Sequence, residues 1–159
     1  MTVHVSKRGV FGFLGDDHDI DTPISGGSYD GDSQMVDVTV DATKLHVLDP
    51  KLSPQKRNEV QANMLGPEVL DVARYPTIQF TSKRAEVTGA NRSKIEGELT
   101  LHGQTHPLTL QVVKVDETHF TGSATIRQTA FGITPIRVAG GTISVRDEVN
   151  VDFELVLTP

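Results

Sequence analysis

The densest polar stretch of the chain is GDDHDIDTP, residues 15–23, which places four carboxylates and one imidazole within six positions. Carboxylates and histidines bind metal ions and serve as catalytic acids and bases. If this stretch is a strand, Asp17, Asp19 and Asp21 lie on one face and His18 on the other. Carboxylates two apart on a strand are ~7 Å apart, too far to share an ion that binds oxygen at about 2.3–2.6 Å. We therefore predict an outer, solvated stripe of aspartates and an inward His18, either a core histidine or a ligand contact.

Two further histidines, His102 and His106, are four residues apart in HGQTH, a spacing that would suggest metal ligands on a helix. Here they flank a hairpin turn, where facing residues lie about 5 Å apart. A stable zinc site needs about three or four ligands, and the neighbouring sequence supplies no others. We therefore predict exposed turn histidines and no metal site.

Motifs for nucleophilic catalysis and phosphate binding are absent from the sequence. There is no cysteine and no Gly-x-Ser-x-Gly elbow, and the glycines of GGSYDG and AGGT lack the lysine and following helix of a phosphate loop. The sequence thus favours a protein that is not an enzyme. The enzyme alternative is an acid–base pair at an opening of the fold, such as His18 with Arg8 or a carboxylate.

Length and charge limit the class of protein. A chain of 159 residues fits one domain, which we assign to residues 1–159. The net charge of −6 and the scattered basic residues argue against nucleic-acid binding. No apolar run reaches the ~18 residues of a membrane helix, and MTVHVSKRGVF lacks the apolar core of a signal peptide. Because strand-like alternation begins at Thr2, we expect an upstream segment, such as a cleaved signal peptide, to be missing.

Alternation of apolar and polar residues dominates the sequence, most clearly in KIEGELTLHG, where Ile95, Gly97, Leu99 and Leu101 share one face. The segments MVDVTVDA, HFTGSATIRQ and EVNVDFELVLT repeat this pattern. Turn clusters such as GGSYDGDS, TGANRS and HGQTHP separate the strands, so neighbouring strands should be antiparallel. About seven or eight strands form either a sandwich or a closed barrel, and we favour closure because it buries every apolar face and removes exposed edges.

One segment departs from this pattern. In LSPQKRNEVQANMLG, Ser53 is a typical N-cap and Gly66 a typical helix end. Val60 and Met64 fall on one face between them, which predicts an amphipathic helix of about three turns. The segment PEVLDVARYP predicts a second, shorter helical turn that ends before Pro76.

The inner face of the predicted barrel is apolar, so a charged ligand would lose its hydration there without compensation. Gly97, Gly122 and Ala124 are small residues on this face. Either they leave room for a slender apolar ligand, or they fit the taper of a fully packed barrel. The larger inward residues are Val38, Val40, Phe80, Leu99, Leu101, Leu108, Leu110, Phe120, Ile126, Phe153 and Leu155.

Three segments carry a family pattern. RNEVQANMLGPEVLDVARYPTIQFTS (57–82) is an Arg-led helix followed by Leu-Asp-Val and Tyr-Pro steps into a Phe strand. GELTLHGQTHPLTLQV (97–112) holds a Leu-x-x-x-Gly-x-Thr hairpin, and SATIRQTAFGITP (123–135) is an Arg-containing strand that ends in Phe-Gly-Ile. In this order the segments resemble the YceI family, except that Gln128 and Thr129 stand where an acidic residue often precedes the Phe-Gly step.

The resemblance implies an all-β, antiparallel, eight-stranded lipocalin-like barrel with the helix and the shorter helical turn at one opening. Because few residues precede the Gly-rich N-terminal region, we expect the barrel to lack part of its first strand. The resemblance also implies a carrier of a polyisoprenoid chain, such as a quinone tail or polyprenyl lipid, with no other cofactor. Many family members are periplasmic or secreted, which fits a removed signal peptide; without one, the protein would be cytoplasmic. A homodimer and transient membrane contact are compatible with the family.

Burial of the chain would dominate the affinity, at ~0.8 kcal/mol for each methylene. A polar head group at the opening would mainly orient the ligand. The alternatives are a packed barrel that acts as a stress-response interaction protein and a hydrolase or metal-dependent enzyme at the opening. The predicted ligand contacts are Val38, Phe80, Leu99, Leu101, Leu108, Leu110, Phe120, Ile126, Phe131 and Phe153 for the tail, and Arg8, His18, Arg57, Asn63 and Arg127 for the head group.

Overall fold

The computed structural model of the protein describes residues 2–6, 19–135, 137–138, 143–144 and 147–157. These residues form eleven strands, one α-helix and two short 3-10 helices. The strands are β1 (Thr2–Ser6), β2 (Asp19–Asp30), β3 (Met35–Asp41), β4 (His46–Val47), β5 (Thr77–Gly89), β6 (Arg92–Leu101), β7 (Gln104–Lys114), β8 (His119–Arg127), β9 (Arg137–Val138), β10 (Ile143–Ser144) and β11 (Glu148–Val156). The helix α1 is Pro54–Leu65, and the 3-10 helices are Ala42–Lys44 and Gln128–Phe131.

Eight strands pair side by side in a ring. Their order is β1-β11-β8-β7-β6-β5-β3-β2, and β2 pairs in turn with β1. Every one of these pairs is antiparallel, which confirms the predicted eight-stranded antiparallel fold. The strand β1 is only five residues long, yet Val3 pairs with Thr22 on one side and with Leu155 on the other. The first strand is therefore short, as expected, but its pairing completes the ring.

Alternation along the strands places the core inside this ring. In β6, Ile95, Leu99 and Leu101 are buried, whereas Glu98 is exposed. The register of β5 against β6 places Phe80 opposite Leu99, so that apolar residues of neighbouring strands face the same side. These side chains belong to one buried cluster, which is the core that the period-two pattern predicted.

The turn between β6 and β7 is a tight one. It consists of His102 and Gly103, whose φ angles are 51° and 71°. Two successive left-handed residues are typical of a type I′ turn, which matches the twist of the flanking strands. A Cβ atom on residue 103 would lie 2.5 Å from Cε1 of Tyr75, so only glycine lets the turn approach that ring.

The helix α1 has the boundaries that the sequence predicted. Oγ of Ser53 accepts a hydrogen bond from the backbone N–H of Lys56 at 3.3 Å, which caps its first turn. Nε2 of Gln61 donates to the carbonyl of Leu45 at 2.6 Å, and Oε1 accepts from the N–H of Val47 at 2.7 Å. Gln61 therefore ties the helix to β4. Among the described residues, no helix has the length and apolar character needed to span a membrane.

The segment that follows α1 differs from the prediction. Residues 67–70 and 72–74 form hydrogen-bonded turns instead of the expected short helical turn. Between them Asp71 has a φ of 45°, which a right-handed helix cannot contain. The carbonyl of Asp71 accepts hydrogen bonds from the N–H groups of Arg74 and Tyr75 at 2.9 and 2.8 Å, and these close the last turn before β5.

Candidate functional site

The interior of the ring contains an apolar cavity of about 400 Å³. Twenty-five residues line it, from strands on every side of the ring and from the segment 64–70 at the end of α1. All of them are apolar except Thr22 and Tyr29, and no charged side chain of the described residues is among them. A cavity of this kind suits an apolar ligand with at most a few polar atoms.

The structure brings most of the predicted tail contacts together in this cavity. Phe131 is the exception: it is buried, with 3% of its surface exposed, but it does not line the cavity. Its ring instead meets that of His106 edge-on at 5.2 Å between centroids, and its carbonyl lies 2.9 Å from Nδ1 of His102. The predicted residues that do line the cavity are Val38, Phe80, Leu99, Leu101, Leu108, Leu110, Phe120, Ile126 and Phe153, together with Val40 and Leu155 of the inner face.

The two inner glycines agree with the second of the two alternatives, in which small residues fit the packing of the interior. A Cβ on Gly97 would lie 2.6 Å from Cζ of Phe80, and a Cβ on Gly122 would lie 2.7 Å from Cε2 of Phe153. These two glycines therefore make room for the protein's own aromatic rings. Ala124, by contrast, does line the cavity.

Of the predicted head-group contacts, the three that the structure describes do not line this cavity. Arg8 and His18 lie outside the described residues. Arg57 donates from Nε to the carbonyl of Asp49 at 3.3 Å and from Nη2 to that of Leu52 at 3.2 Å, so it stabilises the loop before α1. The remaining two candidates are exposed: Asn63 accepts the Gly66 N–H through its backbone carbonyl, and Arg127 pairs through Nη2 with Glu148 at 3.2 Å.

Two lining residues with hydroxyl groups, Thr22 and Tyr29, were missed by the sequence analysis. Thr22 is buried, and the Tyr29 ring packs against that of Phe120 with centroids 5.4 Å apart. Tyr29 was hidden because GGSYDGDS reads as a turn, whereas β2 continues through it to Asp30. A register shift between Ile24 and residue 26 lets the strand bend there. For Thr22 the available signal is its alternation with Ile20 and Ile24, whereas Tyr29 faces inward only because of the register shift, which the alternation does not predict.

The polar stretch at residues 15–23 is described only from Asp19 onward. Ile20 and Thr22 line the cavity, so the predicted alternation holds for this part of the stretch. Asp21 is half-buried, and its Oδ1 is enclosed without a hydrogen-bond partner among the described residues. It is not the solvated side chain we expected, because β2 has a paired strand on both sides at this position, with His4 and His46 as the register partners.

The two histidines of the HGQTH turn are half-buried, so the expectation that they are exposed was wrong. The ring of His102 lies 4.7 Å from that of Tyr75, and His106 packs on Phe131. Both therefore belong to an aromatic cluster at this end of the sheet. Within the described ranges, no group of three or more histidine, aspartate or glutamate side chains is arranged to hold a metal ion.

The carboxylates with shifted pKa values lie away from the cavity. A hydrogen bond from the Ser33 hydroxyl lowers the pKa of Asp30, and one from the Thr129 hydroxyl lowers that of Asp147. Asp30 ends β2 and Asp147 directly precedes β11, and neither lines the cavity. Their hydrogen bonds stabilise the adjoining turns, whereas the lining of the cavity is almost entirely apolar.

Comparisons with known proteins agree with this fold. The model of the YceI-like domain matches residues 4–157. A UPF0312 protein of Pseudomonas syringae pv. tomato is 33% identical over 96 residues, and the match covers 55% of this chain and 48% of that protein. The chain thus spans about half the length of the curated relatives that it matches.

Solved structures resemble the chain over nearly its full length. The crystal structure of Burkholderia cenocepacia BcnA superposes with a TM-score of 0.70 at 20% identity, covering 99% of this chain and 96% of that one. A structure described as a polyisoprenoid binding domain from Saccharophagus degradans, implicated in plant cell wall breakdown, superposes with a TM-score of 0.50 at 13% identity, covering 98% and 92%. At these identities the likeness shows the fold.

Proposed function

Because the chain belongs to the YceI-like domain family, we propose that it is a carrier that holds a polyisoprenoid chain, such as a quinone tail or a polyprenyl lipid, inside the ring. The observation that carries this proposal is the cavity of about 400 Å³, all but two of whose 25 lining residues are apolar. The similarity to the polyisoprenoid binding domain of Saccharophagus degradans supports it.

The size of the cavity limits how much of the chain it holds. The cavity has a volume of about 400 Å³. If each carbon atom takes the volume of a water molecule, about 30 Å³, the cavity holds roughly 13 carbon atoms. An isoprene unit has five carbons, so about two to three units fit, and each contributes several kcal/mol at ~0.8 kcal/mol per buried methylene. Burial of these units dominates the affinity, and a longer chain extends out of the cavity.

The same features favour a binding protein over the two alternatives. A fully packed barrel would not enclose a cavity of about 400 Å³. For an enzyme, the interior offers little acid–base chemistry, since Tyr29 is the one titratable side chain among the described residues that line it.

The location of the protein is part of the proposal. The family resemblance supports a periplasmic or secreted carrier, which takes up its ligand by transient contact with a membrane and works as a monomer or homodimer. Fractionation of cells that express the full-length gene, followed by gel filtration, tests the compartment and the oligomeric state.

Lipid extraction and native mass spectrometry of the purified protein test the proposed ligand. We expect an extractable polyisoprenoid, or stoichiometric uptake of farnesol by protein stripped of lipid. A protein that yields no isoprenoid and takes up no farnesol would overturn the proposal.

A matched pair of variants locates the ligand. Val112 lines the cavity, whereas its neighbour Val113 is on the outer face with 36% of its surface exposed. Val112→Phe should reduce the bound lipid because the ring occupies the interior, and Val113→Phe should retain it. Melting temperatures of both variants verify that they are folded, and full retention by a folded Val112→Phe would place the ligand elsewhere.

A further inference from the structure

The wall of the ring is incomplete between β7 and β8. The strand β7 pairs with β6 along nearly its whole length, and β8 pairs with β11 along all of its own. Between β7 and β8, however, the ladder covers only residues 111–114 against residues 120–123. From Gln111 and Ser123 toward the α1 end, the two strands are no longer paired. We call this unpaired region between β7 and β8 the slot.

Pro107 lies beyond the end of the ladder and keeps it from resuming there. The two-residue turn at His102 and Gly103 makes Leu101 and Gln104 a hydrogen-bonded pair, and every second residue of β7 after Gln104 bonds to β6 in the same way. Pro107 falls among the alternate residues, whose backbone groups point toward β8. Proline has no N–H to donate to a neighbouring strand, so the β7–β8 ladder cannot continue unbroken through this position.

A second cavity, of about 620 Å³, occupies the slot. The residues at its outer edge are polar and include Thr109 on β7 and Thr125 on β8. Its inner wall is apolar, because Leu108 and Ala124 line both this cavity and the interior one. Leu108 and Ala124 are therefore the residues that separate the two cavities.

At the α1 end of the ring, Met64 and Leu70 line the interior, and Gln61 fixes the helix to β4 through two hydrogen bonds. The slot is bounded on that side by the contact of Phe131 with His106 and on the other by the Gln111–Ser123 pair.

We infer that the slot between β7 and β8 is the portal through which the apolar chain enters and leaves the interior. This inference rests on the proposed function. A polyisoprenoid chain is slender and flexible, so it can pass between the side chains of Leu108 and Ala124 one unit at a time. The polar residues at the outer edge of the slot stay in water while the chain passes, and no buried charge has to be exposed.

The unpaired strand edges are poorly suited to the other use of such a gap, the addition of a strand from a partner protein. Pro107 removes one hydrogen-bond donor from the β7 edge, and proline at an edge disfavours pairing with a further chain. A strand added at the edge would also leave unexplained why the slot continues inward to Leu108 and Ala124. The two residues shared by the outer and the inner cavity favour a portal.

A cross-link across the slot tests the portal. The protein has no cysteine, so Thr109→Cys with Thr125→Cys supplies the only thiols. Continuing the register of the Gln111–Ser123 pair places these positions opposite each other. A short bismaleimide that joins them should slow uptake and release of a fluorescent farnesol analogue by at least about tenfold, with Kd nearly unchanged, because only the path is blocked.

The control pair is Val113→Cys with Thr121→Cys, which face each other on the same two strands where the ladder is intact. Its cross-link should leave both rates unchanged. A second variant, Leu108→Ala, shortens a side chain that lies between the two cavities and should speed both uptake and release.

The outcomes separate the portal from the proposed function. If the slot cross-link is verified by mass and the rates stay the same, or if Leu108→Ala leaves them unaltered, the portal is wrong although the carrier function stands. If the unmodified protein does not bind the farnesol analogue at all, the proposed carrier function is wrong. The portal, which depends on that function, is then wrong as well.

Discussion

Tyr29 and Phe120 pack ring against ring inside the cavity, with centroids 5.4 Å apart and planes inclined by 60°. The two residues come from β2 and β8, which are not neighbours in the ring. Their contact therefore spans the interior near the turns that follow β2 and precede β8. It brings one of the two lining hydroxyl groups to this end of the cavity.

Removing the Tyr29 hydroxyl should alter ligand preference more than stability. In Tyr29→Phe the ring contact is kept, so we expect the free energy of unfolding to change by less than about 1 kcal/mol. The affinity for farnesol relative to its parent hydrocarbon should fall by about fivefold, the worth of one hydrogen bond of about 1 kcal/mol. Tyr75→Phe is the control, since Tyr75 does not line the cavity. Equal ratios in all three proteins would show that the hydroxyl does not contact the ligand.

A methyl group on Gly97 should destabilise the fold. The new Cβ would lie 2.6 Å from Cζ of Phe80 and would also meet the backbone carbonyl of Thr81, which cannot move aside easily. We expect Gly97→Ala to lower the free energy of unfolding by about 1–3 kcal/mol in urea denaturation.

Gly26 supplies the matched control, because no atom lies within 4 Å of a Cβ built on it. Gly26→Ala should change the stability by about 0.5 kcal/mol or less. If both substitutions have the same effect, backbone entropy and not the contact with Phe80 explains the loss.

Gln61 should contribute to stability through β4. Its side chain satisfies the carbonyl of Leu45 and the N–H of Val47, and Val47 is 1% exposed. Gln61→Ala would leave both backbone groups without this partner, at a cost of about 1–3 kcal/mol in the free energy of unfolding. Hydrogen exchange at the Val47 amide should become faster, whereas the exposed Gln55→Ala should leave the exchange rate as it is.

The hydrogen bond between Thr129 and Asp147 should affect how the free energy of unfolding changes at acidic pH. The Thr129 hydroxyl, at 2.7 Å, is the main cause of the lowered pKa of Asp147, and the Thr129 N–H adds to it at 2.8 Å. A carboxyl whose pKa is lower in the folded state stabilises the fold above the unfolded pKa, near about pH 4, and this contribution is lost as the pH falls through the folded pKa.

Thr129→Val removes the hydroxyl and keeps the backbone donor, so the pKa of Asp147 should rise toward its usual value. The loss of stability below about pH 4 should be correspondingly smaller. An NMR titration of the Asp147 carboxyl measures the shift, with Thr134→Val, an exposed residue of the following loop, as the control. An unchanged pKa would mean that the backbone N–H and the charge of Arg127 set it without the hydroxyl.

Local patterns in the sequence predicted much of the fold. Alternation identified the inward residues of β6, and Ser53 with Gly66 located both ends of α1, because these signals depend on neighbours in the chain. Tyr29 was missed since a pair of glycines inside a strand reads as a turn. Arg57 and Arg127 stay predictions as ligand contacts, and the sequence did not reveal that nearby carbonyls and carboxylates hydrogen-bond to them.

The slot could not be predicted from the sequence for a different reason. Pro107 is visible in the chain, but its meaning depends on which neighbour its backbone faces. That in turn depends on the turn at His102 and Gly103 and on the order of the strands in the ring. That Leu108 and Ala124 line both cavities is likewise a property of the assembled sheet.

The short strand β1 also constrains the order in which the protein can fold. Val3 pairs with Leu155. One of the two neighbours of β1 in the ring is therefore β11, the last strand along the chain. Contacts between residues so distant in the chain form late, because a long loop must be closed before they stabilise anything. The hairpins from β5 to β8 can assemble earlier from neighbours alone. In pulsed hydrogen exchange during refolding, the amides of Thr2–Ser6 should therefore be among the last to gain protection.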